Sequence, residues 1–299
     1  MDRREFLESV GLASCGAALS GCRAYGDVVA VDDSADYATR QAEIDSVKGC
    51  DYAAYMRGET DWRGVPAFVR LERAFDKVVQ EVKTTTPTDT PAVWLLYNMG
   101  IVVKTKESCF AIDLVHRRAA EIAPLLDFLL LTHNHGDHCF EDLYRAVNGA
   151  HKVVFSNFKD NYGAPDRKGG YTRAEKVFRI KDVEIRTALS DHNSYLIDFT
   201  TAFEIRIGDF IIYHSGDSQN VAKLNPMCSP DLWFVHPRCG LKVHDGYNKF
   251  APKTTVIAHL NELGHDKWRW SWNVGLKDKA EIESLGGRCV VPVWGERIV

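Results

Sequence analysis

The sequence predicts an α/β fold: two mixed β-sheets packed face to face, with helices on their outer sides. Three observations predict it. Eleven short β-branched or apolar runs begin at residue 93 and recur as far as residue 293. The early runs follow one another as closely as hairpin strands do, whereas helical patterns separate several of the later ones. Strands first in hairpins and then alternating with helices build two layers whose outer faces helices cover. Composition agrees, since 45% of the 299 residues are apolar and 26% charged, the balance of a folded globular chain. The formal net charge is −4, so no broad cationic field exists to hold a phosphate backbone, and a general nucleic-acid binder is disfavoured. No apolar run reaches the roughly 18 residues that a membrane-spanning helix needs.

Residues 1–22 read as an export signal. Arg3-Arg4 is followed by Phe6-Leu7 and then by a weakly apolar stretch of about ten residues, which is too short to span. The adjacent arginines resemble a twin-arginine signal, although Asp2 and Glu8 depart from its usual residues. Leu19-Ser20-Gly21-Cys22 resembles a bacterial lipobox, in which Cys22 is acylated and becomes the mature N-terminus. The expectation is an exported lipoprotein of the cell envelope or periplasm, held to the membrane by a lipid on Cys22. Removing residues 1–21 takes away two Arg and three acids and leaves a net charge of −3. The six cysteines beyond Cys22 are scattered and form no CxxC pair, so no disulfide is expected.

Residues 23–91 read as a helical extension and a linker. Phe68, Leu71, Phe75, Val78, Val79 and Val82 recur at three- and four-residue spacing, which gives one apolar helical face. The run Thr-Thr-Thr-Pro-Thr-Asp-Thr-Pro at 84–91 has neither period nor apolar content and separates this region from residues 92–299. There the strand runs are 93–97, 101–104, 109–114, 128–132, 153–156, 183–187, 195–199, 210–213, 232–235, 255–258 and 289–293. Helical patterns lie at 117–126, 141–147 and 276–285.

The chemistry concentrates where the run Leu129-Leu130-Leu131-Thr132 ends in His133-Asn134-His135-Gly136-Asp137-His138. A run so apolar is a buried strand, so the polar cluster emerges at its C-terminal end. His133 and His135 alternate to one side there, while Gly136 lets the chain turn and aim Asp137 and His138 elsewhere. Four potential ligands in six residues can feed two adjacent metal positions. Imidazole and carboxylate without thiolate suit Zn²⁺ first, with Mn²⁺ or Fe as alternatives.

Here the sequence resembles the metallo-β-lactamase superfamily, whose signature is HxHxDH after a strand. Its later motifs also have counterparts in order. The run at 183–189 leads into Ser190-Asp191-His192, that at 210–213 into His214-Ser215-Gly216-Asp217-Ser218, and that at 255–258 into His259. The resemblance implies an αββα sandwich over about residues 92–295. It implies two divalent metal ions, one on His133, His135 and His192, the other on Asp137, His138 and His259, with Asp217 bridging. A hydroxide between the metals would attack a carbonyl carbon or phosphorus, and Asp137 would orient it or accept its proton. Asp113 matches a position whose carboxylate supports a ligand histidine. His265, six residues past His259, is the alternative last ligand, and the expectation favours His259 because it directly ends a strand.

Asp217 as bridging carboxylate resembles the lactonase, thioesterase and phosphodiesterase branches and disfavours β-lactam cleavage. Asp191-His192-Asn193 and the segment at 213–217 look most like the branch of ascorbate-6-phosphate lactonase and N-acyl-phosphatidylethanolamine phospholipase D. That implies hydrolysis of a phosphodiester or of a lactone or ester in a small-molecule or lipid substrate. Only 42 positions separate Asp217 from His259, too few for the large inserted domain of the nuclease branches. A nuclease and a non-catalytic metal-binding envelope lipoprotein are the alternatives. Three weaker features complete the reading. His236, Arg238, Lys242, His244, Tyr247 and Lys249 form either a rim for an anionic group or a solvated basic loop, and His214 reads as packed. Trp268, Trp270 and Trp272 would share one face if extended.

Overall fold

The computed structural model describes residues 27–158 and 175–299, so the export signal and Cys22 lie outside the described residues. Asp36 accepts the Thr39 N–H at 2.8 Å and so caps α1 (Tyr37–Asp45), which α2 (Gly49–Met56) follows. Pro66 opens α3 (Pro66–Thr84), where its missing N–H is no loss, and the face of Phe68, Leu71, Phe75, Val78 and Val82 is buried. On the same helix the buried Glu72 accepts the Tyr55 O–H at 2.7 Å and bonds Arg117 and Arg118. Residues 85–91 carry neither helix nor strand.

The strands then begin: β1 (Ala92–Tyr97), β2 (Gly100–Lys104), β3 (Cys109–Ile112) and β4 (Phe128–Leu130). Helix α4 (Glu141–Gly149) crosses to β5 (Val153–Phe155). Beyond residue 174 come β6 (Val177–Ile180), β7 (Val183–Ser190), β8 (Thr200–Ile207) and β9 (Phe210–His214). The chain then passes through β10 (Leu232–Val235), α5 (Val243–Phe250), β11 (Thr254–Ile257), α6 (Trp272–Ser284), β12 (Cys289–Val290) and β13 (Glu296–Arg297). Two sheets result, ordered β13-β1-β2-β3-β4-β5 and β12-β11-β10-β9-β8-β7-β6.

Side-chain alternation divides the core into layers. Val93, Leu95, Ile101, Val103, Phe110 and Phe128 of the first sheet meet Ile185, Phe203, Ile205, Ile212 and Phe234 of the second. The opposite faces of the same strands, among them Trp94, Leu96, Leu129, Trp233 and Ile257, share a second cluster with Phe68, Phe75, Phe250 and Trp272 of the helices. This is an αββα sandwich, as the sequence predicts.

Strand direction is what positions the site. β3, β4 and β5 run parallel, and so do β9, β10, β11 and β12. β7 and β9 are both antiparallel to β8, so β7 points the same way as β9. The C-terminal ends of β3, β4, β7, β9, β10 and β11 lead into Asp113, His133, His192, Asp217, His236 and His259. Backbone bonds Thr201 N–H to Thr132 O at 2.9 Å and His259 N–H to Asn98 O at 3.0 Å stitch the sheets together at that edge.

Three local expectations are corrected, and one strand is added. The apolar run at 195–199 is a turn, in which Asn193 Oδ1 accepts the N–H groups of Tyr195 and Leu196 and leaves Tyr195 91% exposed. The strand begins only at Thr200, and its Glu204 and Arg206 hide it from an apolar census. β6 is likewise masked, because its mixed residues alternate in burial at a sheet edge. The helical pattern at 117–126 is a 3-10 stretch, Ala119–Leu125, with Pro124 inside it. Trp268 is exposed in a turn while Trp272 is buried at the start of α6, so the three indoles share no face.

Phe68→Ala should remove about 3–5 kcal/mol, because the ring is fully buried in the cluster that joins α3 to the first sheet. Urea unfolding monitored by tryptophan fluorescence checks this; a midpoint unchanged from wild type would show that α3 adds nothing to the sandwich.

Candidate metal centre

Asp113 organises the centre. Its residue is fully buried, with φ at 47°, a conformation that an L-residue holds only when its surroundings over-determine it. Oδ1 accepts the Thr132 N–H at 2.8 Å, and Oδ2 accepts the Thr132 hydroxyl at 2.6 Å and His138 Nδ1–H at 2.8 Å. The Thr132 hydroxyl has one proton and gives it to Asp113, so it accepts from His133 Nδ1–H at 2.9 Å. One carboxylate thus places the lone pairs of both His133 and His138 on Nε2, where a cation would use them.

His133, His135 and His192 bring one ring nitrogen each within 4.8 Å of one another, and Asp137, His138 and His259 form a second such group. His133 Nε2 faces His135 Nδ1 at 3.1 Å. Asp217 lies between the groups, with Oδ1 3.2 Å from His138 Nε2, and with Oδ2 3.4 Å from His192 Nε2 and 3.5 Å from His259 Nε2. Gly216 allows this approach: its φ is 53°, and a Cβ there would sit 2.7 Å from Thr200 Oγ1. His259 also has positive φ, at 56°, and presents Nε2 to Asp137 Oδ2 at 3.0 Å.

These groups fit a pair of divalent cations. His138 Nε2 and Asp217 Oδ1 are buried without any hydrogen-bond partner, although a native interior satisfies nearly all such atoms. Burial, aided by His138 and His135, pushes His133 well below the ordinary imidazole range, and burial, aided by His192, brings His135 to about 4, so both are neutral ligand-type rings. Burial opposes charge on His138 too, yet Asp217, Asp137 and Asp113 raise it well above that range. Burial would likewise raise Asp137 and Asp217, but His138 and His259 hold both well below the usual carboxylate range. Positive charge between these carboxylates is what the site is built to hold. Nitrogen and oxygen donors with no thiolate among the seven residues suit zinc, manganese or iron.

The remaining candidates separate. His236 joins Asp217 and His259 in a further group, Cys239 joins His192 and Asp217 in another, and His265 belongs to none. His265 instead bonds Glu262 Oε2 through Nδ1 at 2.6 Å. His214 is buried, with Nε2 on Met99 O at 3.0 Å. Of the expected rim, Arg238 is paired with the buried Asp278 at 2.9 Å, His244 with Glu281 at 2.8 Å, and Lys249 reaches Val221 O at 2.8 Å. These side chains bond the protein's own acceptors.

Three residues escaped the sequence reading. Asn98 Nδ2 donates to Asp137 O at 3.1 Å and to its Oδ2 at 3.3 Å, from a φ of 54° in the β1–β2 turn. Thr132 relays Asp113 to His133. Cys239 Sγ–H donates to Asp217 O at 2.9 Å and to His192 O at 3.1 Å. An Asn before Gly100 signals a hairpin turn, but nothing in the sequence shows what its side chain will meet.

No family model matches the sequence, and no curated protein does. Solved structures do match. Igni18, a metallo hydrolase from the hyperthermophilic archaeon Ignicoccus hospitalis, aligns over 70% of this chain and 98% of its own, at 16% identity and a TM-score of 0.56. YhfI, a metallo-β-lactamase fold protein from Bacillus subtilis, aligns over 70% of this chain and 99% of its own, at 14% identity and a TM-score of 0.55. CmlA, a diiron β-hydroxylase from Streptomyces venezuelae, aligns over 71% of this chain and 54% of its own, at 13% identity and a TM-score of 0.55. This chain therefore spans about half the length of CmlA. At such identities the likeness shows the fold, and the fold is that of the metallo-β-lactamases.

Asp113→Asn should weaken metal affinity by about 10–100-fold, since the amide cannot accept from both Thr132 and His138 as the carboxylate does. Competition with a chromophoric chelator measures this, and unchanged affinity would remove Asp113 from the support of the centre. His265 offers a pH test. The hydrogen bond to Glu262 raises it from 6.5 to about 9, so the pair's contribution to stability is complete below pH 6.5 and is lost as pH rises through 9. Denaturation midpoints of the metal-loaded protein should fall between those two pH values more in wild type than in His265→Gln. Parallel curves would show that the pair contributes nothing.

Proposed function

We propose that this protein is a metal-dependent hydrolase that cleaves a phosphodiester or a lactone or ester bond in a small-molecule or lipid substrate. The observation that carries the proposal is the pair of buried ligand groups, His133/His135/His192 and Asp137/His138/His259, joined by the two oxygens of Asp217. Two divalent cations held there would supply an activated water and would offset negative charge building on the attacked group. Zinc is the first expectation, with manganese or iron behind it.

The chain's own residues supply orientation and proton handling. Asp137 Oδ2 is held by Asn98 Nδ2 and lies 3.0 Å from His259 Nε2, so its carboxylate is fixed where it can accept a proton from a water in the site. Asp113, through His138 directly and His133 by way of Thr132, keeps two rings from rotating away. Burial of these groups excludes bulk water and strengthens every charge interaction among them.

The substrate class rests on supports of a different kind. The segments Asp191-His192-Asn193 and Tyr213-His214-Ser215-Gly216-Asp217 resemble the branch of ascorbate-6-phosphate lactonase and N-acyl-phosphatidylethanolamine phospholipase D. Between Asp217 and His259 the chain builds only β10, α5, β11 and short connections, which leaves no inserted domain to clamp a polynucleotide. The net charge of −4 points the same way. A lipid on Cys22 would hold the enzyme at an envelope membrane, beside phospholipid.

The test is hydrolysis of bis(p-nitrophenyl) phosphate and of γ-butyrolactone, side by side, by protein loaded with zinc or manganese. Wild type should cleave at least one. Asp217→Ala should lose at least about 100-fold in rate and fall below two metals per chain, because both ligand groups lose a shared oxygen. Two metals and full rate in that variant would overturn the proposal, as would a two-metal wild type silent on both substrates.

A further inference from the structure

The loop after β10 places one more imidazole at the centre. His236 is 5% exposed, and its ring lies flat on that of His259, with centroids 3.9 Å apart and planes 2° from parallel. It brings a donor atom within 4.8 Å of those of Asp217 and His259. By proximity alone it would be an extra metal ligand.

The hydrogen bonding of the ring argues otherwise. A histidine can bind a cation through Nε2 only when Nε2 carries a lone pair, and the partner of Nδ1 decides that. His138 gives its Nδ1 proton to Asp113, and His133 gives its own to Thr132. His236 shows the reverse arrangement. Its Nδ1 accepts the Arg238 N–H at 3.2 Å, so the neutral ring carries its proton on Nε2, which can donate and has no lone pair for a metal. The two residues that follow Pro237 fix the loop in this state. Arg238 is clamped by Pro237 O at 2.7 Å and by Asp278, and the Cys239 thiol is bonded to Asp217 O and His192 O.

We propose that His236 is a substrate-binding hydrogen-bond donor beside the second ligand group, and that its Nε2–H grips an oxygen of the phosphoryl or acyl group being hydrolysed. The inference rests on the metal-hydrolase reading above and adds a residue outside the seven-ligand pattern. A neutral donor suits this place, because it steadies developing negative charge on a substrate oxygen without competing for the cations.

The test separates ligand, donor and packing roles and requires no turnover. Wild type, His236→Ala and His236→Gln are loaded with cobalt; metal is counted, the visible spectrum recorded, and the affinity for inorganic phosphate measured by calorimetry. Both variants should hold two metals with an unchanged spectrum. Phosphate affinity should fall roughly tenfold in His236→Ala, the loss of one hydrogen bond to a charged acceptor, and part should return in His236→Gln, which keeps an N–H donor. Loss of a metal or a shifted spectrum would make His236 a ligand and overturn the proposal. Unchanged phosphate affinity in both variants, or no phosphate binding by cobalt-loaded wild type, would overturn it as well. Failure of the hydrolase reading looks different: wild type would bind metal and phosphate, lose phosphate affinity on substitution, and still cleave neither ester.

Discussion

The buried carboxylate of Asp113 is the interaction on which the rest of the centre depends. An unpaired carboxylate with no solvent access costs several kcal/mol, so the residue is tolerable only because Thr132 N–H, Thr132 O–H and His138 Nδ1–H all converge on it. Those three bonds fix more than a charge. They join the end of β3 to the end of β4, hold Asp113 at positive φ, and assign the protons of two histidines that serve different ligand groups. A change at this one position therefore reaches both halves of the centre at once.

The sandwich supplies the edge on which this arrangement can exist. Strand ends from two sheets meet there, and their backbones bend sharply: Asn98, Asp113, His259 and Asn261 all have positive φ. Each such residue costs of order 1–3 kcal/mol and persists only where neighbours leave no alternative. Thr201 N–H on Thr132 O and His259 N–H on Asn98 O are among the bonds that leave none. The N-terminal helices belong to the same constraint. Gln41 bonds Asn261 at 2.9 Å, Gly49 N–H bonds Asp266 at 2.7 Å, and Arg269 reaches Val47 O at 2.6 Å. The loop that begins at His259 is thereby anchored to α1 and α2, so these helices help to hold the last of the seven residues in place.

The cluster His133-Asn134-His135-Gly136-Asp137-His138 stood out in the sequence because a strongly apolar run stops there, and a strand end is a place that pattern alone can locate. His192, Asp217 and His259 became candidates only through the resemblance to the metallo-β-lactamase superfamily, whose later motifs they match in order. Asn98, Thr132 and Cys239 were not legible, because each acts through a partner more than thirty residues away or through a proton whose position depends on a third group. β8 was hidden by Glu204 and Arg206, polar residues whose partners lie across the strand or in a neighbouring loop: Glu204 accepts the Met227 N–H at 2.7 Å. The residues at 238–249 show a second limit. The sequence leaves open whether they form a rim or a solvated loop, because it does not show their partners, whereas in the structure Arg238 and His244 are paired with acids on α6.

That contrast explains why residue type and spacing name a ligand set more readily than they name a substrate. A ligand histidine is recognised by where the chain places it, whereas its chemical role depends on which of its two nitrogens holds the proton. In this centre the proton is assigned by second partners that differ from ring to ring: an acid for His138, a hydroxyl already committed to that acid for His133, and a backbone N–H for His236. The first two leave a lone pair facing the centre, and the third leaves a donor. Three imidazoles on strand ends of one edge can thus do two kinds of work, and the difference lies entirely on the side of each ring that faces away from the site.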